Sequence, residues 1–242
     1  MINIFYAYAM KNTKMSRLAT STLTSGVCLA LAGTAVLSLT EAHAATPSGT
    51  SISPAGHRLD AIASGPVVFE AGPITVTCAL SESRAASDTG VRNKIPDAPA
   101  NANPKGAVAV RIKAPVFKDC TTDAPGLRAT VETNEDHGPW QVLLRHGTPS
   151  TAQLSIPTNG FVLKTSGLLS CTATVAPGKA ANVSGQWEAG AGPAVRIEGS
   201  QVPLKIEGPF LCPKSVTTAS ISARYEVHDT TDTTRTISVG PS

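Results

Sequence analysis

Several short stretches of this chain combine residue types that can do chemistry. "LLRHGTPSTA" holds Arg145, His146 and Gly147, a triplet in which histidine phosphatases carry the histidine that becomes phosphorylated. Those enzymes place the triplet after the first strand of an α/β sheet, with a second arginine two residues past the glycine. Here that position is Pro149. The triplet also ends an alternating run from Trp140 to Leu144, so a turn is expected at His146, not a nucleophile. "NEDHG" (Glu135, Asp136, His137) and "HDTTDTT" (His228, Asp229, Asp232) combine acids with histidine, a donor set that suits a metal ion. Neither has EF-hand spacing, and polar hairpin turns use the same residues for local hydrogen bonding. No G-x-S-x-G elbow is present, and no carboxylate pair points to glycoside hydrolysis. The histidines His57, His137, His146 and His228 mostly fall in the lead-in or in turns. The expectation is a chain with no catalytic, metal or cofactor site.

The cysteines are more informative. Cys78, Cys120, Cys171 and Cys212 follow the N-terminal segment, and four cysteines in an exported chain read as two disulfides with three connectivities open. The two gaps are nearly equal, and the flanks repeat. "FEAGPITVTCAL" resembles "FVLKTSGLLSCTATV", and "VRIKAPVFKDC" resembles "PLKIEGPFLC". After each second cysteine come an alternating strand ("LRATVET", "ISARYEV"), a polar turn and a return strand ("WQVLLR", "RTISV"). Two diverged copies of one β unit are expected, which pairs Cys78 with Cys120 and Cys171 with Cys212. No C-x-x-C or H-x-x-x-H spacing supports zinc instead.

Strands must position all of these residues. Val108, Val110 and Ile112 share one face, and Ile221, Ala223, Tyr225 and Val227 share another, with Ser222, Arg224, Glu226 and His228 turned away. Proline and glycine punctuate the runs, and no convincing helical stripe follows residue 45. The predicted class is all-β, an antiparallel β-sandwich of Ig-like general architecture. The expected organisation is a flexible lead-in over 45–60, quasi-repeat 1 over 61–150 and quasi-repeat 2 over 151–242. Residues 81–106 within the first repeat are expected to form a long, exposed polar loop. Trp140 and Trp187 are read as core, with a carbohydrate-stacking platform as the alternative.

The first 44 residues read as an export signal. Lys11, Lys14 and Arg17 precede the apolar run "GVCLALAGTAVLSL", and "AHA" supplies a small-x-small cleavage site at Ala44. That run is shorter than the ~20 residues of a membrane span, so the mature chain is expected to have none. Cys28 lacks a lipobox. Of the 20 basic and 17 acidic side chains, three basic ones and Glu41 lie in this segment, leaving 17 and 16. A nearly neutral mature surface argues against nucleic acid as a partner.

"GPWQVLL", "LSIPTNGFVLKTS", "CTATVAP", "VSGQW", "VPLKI" and "CPKSVTTASISARYEVHDTTD" together resemble small secreted all-β proteins of unknown function from high-GC Gram-positive bacteria. A weaker similarity, through "ISPAG", "VTC" and "PW", is to secreted activators of alkane oxidation. The resemblance implies fold and location only. The functional expectation is a secreted, disulfide-stapled, non-catalytic binding or structural module, at the cell surface, associated with the wall or free in the medium. Its partner would be a surface, a glycan or a protein. The alternatives are a carbohydrate- or cell-wall-binding module and an extracellular hydrolase whose site the sequence does not reveal.

Overall fold

The alternating runs become sixteen strands, with no helix among the described residues. The first half supplies β1 (Thr50–Ser53), β2 (Leu59–Ala63), β3 (Val67–Ala71), β4 (Ile74–Ser83), β5 (Ala102–Asn103), β6 (Val108–Ile112), β7 (Val116–Thr122), β8 (Leu127–Thr133) and β9 (Trp140–Arg145). The second supplies β10 (Thr151–Ile156), β11 (Phe161–Gly167), β12 (Thr172–Val175), β13 (Ala181–Glu188), β14 (Ala194–Glu207), β15 (Thr218–Asp229) and β16 (Ser238–Gly240). This computed structural model describes residues 49–85 and 90–242; the predicted signal segment, 1–44, lies outside them.

Every strand pairing is antiparallel, but the architecture is not the expected sandwich. Strands β3-β4-β7-β8-β11-β12-β14-β15 pair in that order, and β15 returns to β3, closing an eight-stranded barrel. Closure removes the exposed strand edges that an open sheet must protect, and eight strands leave an interior that side chains can fill. Phe69, Phe117 and Phe161 fill it, with ring centroids 4.9 to 5.6 Å apart.

The two longest strands decide this outcome. β14 pairs with β12 through its C-terminal half and with β13 through its N-terminal half. β15 pairs with β3 at Ser220 to Ser222 and with β2 at Tyr225 to Asp229. A register shift between Ile197 and Ser200, with Gly199 at φ 56°, bends β14 where its partners change. The outer halves of β14 and β15 continue into a second ring, β2-β15-β14-β13-β10-β9-β6. Residues 93–95 close that ring: Asn93 N donates to Arg111 O (2.8 Å), Leu59 N to Asn93 O (2.9 Å) and Ile95 N to His57 O (2.8 Å). The small sheet β16-β1-β5 brings Ile52 and the neighbouring Ile237 into the core of this second barrel.

Two copies of one strand plan generate both barrels. In the first barrel β3-β4-β7-β8 and β11-β12-β14-β15 are matching four-strand meanders, joined at β8–β11 and β15–β3. In the second, β2, residues 93–95, β6 and β9 answer to β10, β13, the start of β14 and the end of β15. What is one strand in the second copy is two in the first. Pro115 separates β6 from β7, and the turn at Asn134 to Pro139 separates β8 from β9. Neither half therefore owns a core. "WQVLLR" corresponds to the end of β15, not to "RTISV", which leads into β16 in the small sheet.

Two further expectations are corrected. The stretch 45–60 is no flexible lead-in where it is described: Thr50 and Ile52 are fully buried, and β1 pairs with β16 and β5. The stretch 81–106 is not simply an exposed loop: Ser81, Ser83, Asn93 and Ile95 are buried. Its polar residues go inside because they supply hydrogen bonds the barrel needs. Asn93 Nδ2 donates to Ser83 O and Oγ (both 3.1 Å), and its Oδ1 accepts from Lys113 N (2.8 Å).

Candidate functional site

The disulfides join the pairs that the repeat predicts. Cys78 and Cys120 face one another in the β4–β7 register, with Cα atoms 3.9 Å apart. Cys171, just before β12, is bonded to Cys212 in the connection between β14 and β15.

Several of the residues with chemical potential are occupied by structure. His146 follows β9, its N–H donating to Thr50 Oγ1 (3.0 Å), and Gly147 begins the turn into β10. Its Nδ1 is buried without a hydrogen-bond partner. In "NEDHG", Glu135 accepts from Ala114 N (3.0 Å) and pairs with Arg92 (2.7 Å), while Asn134 O accepts from the Trp140 indole (2.8 Å). These bonds tie β9 to the strands before it and leave no free acid cluster. In "HDTTDTT", the buried Asp229 accepts from Thr231 N and Asp232 N, and its Oδ2 lies 2.7 Å from His57 Nδ1. Hydrogen bonds from the Thr234 hydroxyl and N–H hold the Asp232 carboxyl below its ordinary range. No group of three or more metal-ligating side chains is present among the described residues. His137 and His228 are both exposed.

Three hollows were candidates for a ligand. The second barrel encloses a cavity of about 60 Å³ bounded by Leu59, Val110, Leu144, Trp187 and Val227, and the first one of about 50 Å³ bounded by Phe69, Phe161 and Leu204. Both are apolar and small beside the ~150 Å³ void that accepts a benzene. Tyr225 hydrogen-bonds Ser81 Oγ at 2.7 Å beside the larger cavity, and burial pushes its phenol up to about 12. An open groove of about 470 Å³ runs along the bend of β14, flanked by Ser64, Arg196, Glu198 and Arg224. Its charges neutralise one another: Arg224 bonds Glu188 and Glu226 (both 2.8 Å), and Arg196 bonds Glu198 (2.5 Å). Trp140 and Trp187 are 1% and 6% exposed, so neither offers a stacking platform.

The remaining distinctive surface lies at the end of the first barrel away from the second. Four connections meet there: β3–β4, β7–β8, β11–β12 and β14–β15. A Cβ on Gly72 would lie 2.7 Å from Val216, one on Gly126 2.6 Å from Leu168, and one on Gly208 2.8 Å from Ser170 O. Thr75 N donates to Asp123 Oδ1 (2.9 Å), linking the remaining neighbours. The four turns thus touch in a ring, and the Cys171–Cys212 bond crosses between two of them. Gly126 and Gly208, both at positive φ, allow this approach where a side chain would collide.

Leu168, Phe210 and Leu211 stand out from this ring at 82%, 88% and 64% exposure. Phe210 and Leu211 escaped the sequence reading because "GPFLC" aligns with the strand flank "APVFKDC". The available signal was an apolar pair bracketed by Pro209 and Pro213, where a continuing strand is disfavoured. Comparison with family models, with curated proteins and with solved structures gave no match.

Proposed function

We propose that this chain is an exported, non-catalytic binding module of the cell surface or the surrounding medium, and that it binds through the apolar end of its first barrel. One observation carries the reading: large apolar side chains project from two turns that a disulfide holds together. Leaving such groups in water is unfavourable, and a rigid exposed apolar patch marks an interaction site. The two disulfides support export, since they persist in oxidising compartments. Against catalysis stand the small size of both cavities and the structural use of His57, Glu135 and Asp229 described above. The burial of Trp140 and Trp187 removes the stacking argument for a glycan-binding role.

Hydrophobic-interaction chromatography tests the binding surface. The protein should be retained, and a Phe210→Ser/Leu211→Ser double variant should elute markedly earlier with an unchanged melting transition. Equal retention would locate the surface elsewhere. A screen on esters, glycans and peptides tests the non-catalytic part, which turnover of any substrate abolished by His57→Ala would overturn.

A further inference from the structure

Resting on that reading, we infer that the occupant of the apolar end is a phospholipid surface, into which Phe210, Leu211 and Leu168 insert.

The shape of the site selects the class of partner. Leu168 and Phe210 are 82% and 88% exposed, and Leu168 touches its own chain at Gly126. They are projections carried on turns. A protein partner would have to supply a matching pocket for each tip, whereas a bilayer deforms around them.

Charge points the same way. The four turns read "AGPI", "DAPGL", "GLLSC" and "GPFLCPKSVT", and their charged residues are Asp123 and Lys214. Asp123 is engaged with Thr75 N. A charged group is expensive in hydrocarbon, so the turns that enter it should be depleted of charge. Just behind the tips, Arg128 is the residue after the β7–β8 turn and is exposed, as is Lys214. Lys205 and Glu207 pair nearby at 2.8 Å. The tips are therefore apolar, and the collar, with the exposed Glu70 just before the β3–β4 turn, balances the two signs, suited to zwitterionic headgroups.

Rigidity completes the site. The Cys171–Cys212 bond joins the turn bearing Leu168 to the connection bearing Phe210 and Leu211. The tips are pre-ordered in the free protein, so little further conformational freedom is lost on insertion. No helix among the described residues is long and apolar enough to cross a membrane; the inferred attachment is peripheral.

The experiment is co-sedimentation of the exported protein, disulfides intact, with phosphatidylcholine vesicles and with vesicles that also contain phosphatidylglycerol. Binding to both is expected, persisting in high salt because it is apolar in origin. Phe210→Ser/Leu211→Ser should lower partitioning by at least about tenfold, in keeping with the loss of two side chains from hydrocarbon. Leu168→Ser should lower it to a smaller extent. Circular dichroism and melting should match the parent, since all three residues are exposed.

No vesicle binding, with chromatographic retention that still depends on Phe210 and Leu211, would overturn the lipid assignment and leave the binding surface standing. Loss of that dependence as well would overturn both. Binding confined to anionic vesicles and released by salt, or binding undiminished in the double variant, would overturn the insertion of these side chains.

Discussion

Replacing Asn93 by alanine should open the second barrel. Its side chain makes three hydrogen bonds, to Ser83 O, Ser83 Oγ and Lys113 N, at 2.8 to 3.1 Å. All lie in a region where water cannot replace them, since Asn93 is fully buried. At about 1 kcal/mol each their loss costs about 3 kcal/mol. Asn93 also sits at φ 52°, where alanine is disfavoured by roughly 1–2 kcal/mol. The expected loss is about 4–5 kcal/mol for Asn93→Ala and about 3 kcal/mol for Asn93→Gly, which accepts the left-handed conformation. Urea unfolding at neutral pH, with both disulfides intact, measures the two variants directly. A loss below about 1 kcal/mol for alanine would refute the role given to residues 93–95 in closing the ring. Equal losses for alanine and glycine would refute the backbone part alone.

Tyr225 makes stability fall at alkaline pH. Its folded pKa lies at about 12 against an ordinary value of 10.0. Above pH 10 the unfolded chain releases the phenolic proton while the folded one keeps it, so stability is complete below pH 10 and declines up to about pH 12, by roughly 2–3 kcal/mol. Tyr225 is the only tyrosine after residue 44, so phenolate absorbance reports it cleanly in a protein that begins at residue 45, and Tyr225→Phe should remove this part of the decline. Each disulfide closes a loop of just over 40 residues, with sequence separations of 42 and 41. Replacing either cysteine pair by serine should cost up to ~4 kcal/mol in denaturant unfolding, and only loss of the Cys171–Cys212 pair should also weaken retention on apolar media. Residues 49–145 and 151–242 expressed separately should each lack a cooperative transition and recover one on mixing; a half that folds alone would contradict the interlocked copies.

Much of the fold was legible in the chain, for identifiable reasons. Inward and outward residues of β6 and β15 follow from alternation because a strand with one buried face has period two. The disulfide pairs follow from the matching flanks of Cys78 and Cys171 and of Cys120 and Cys212. Barrel closure was not legible. Alternation says which face of β3 or β15 is buried, but not that these two strands, about 150 residues apart in the Ser220–Glu70 hydrogen bond, meet edge to edge. The repeat was read with "RTISV" as the return strand because its pattern matches "WQVLLR", whereas β15 is long enough to serve both barrels by itself.

At the candidate site the failure was of a different kind. Sequence reasoning looks for titratable groups, and here Asp229, Glu135 and His57 spend their hydrogen bonds on turns and strand ends. Asn93 looked like loop because it is polar, yet it is buried for its amide. Phe210 and Leu211 lie in a flank that resembles the strand flank "APVFKDC", yet they are exposed at a turn. Residue type predicts location only when the backbone around it has no special demand, and both positions carry one.

Hydrogen–deuterium exchange of the protein, with both disulfides intact and with and without phosphatidylcholine vesicles, tests the working surface most directly. Protection on binding should appear in the four turns at residues 71–74, 123–127, 167–171 and 208–217, and should leave β6, β9 and β10 unchanged. Protection centred on the groove at Ser64, Arg196 and Glu198, with the four turns unaffected, would contradict the account.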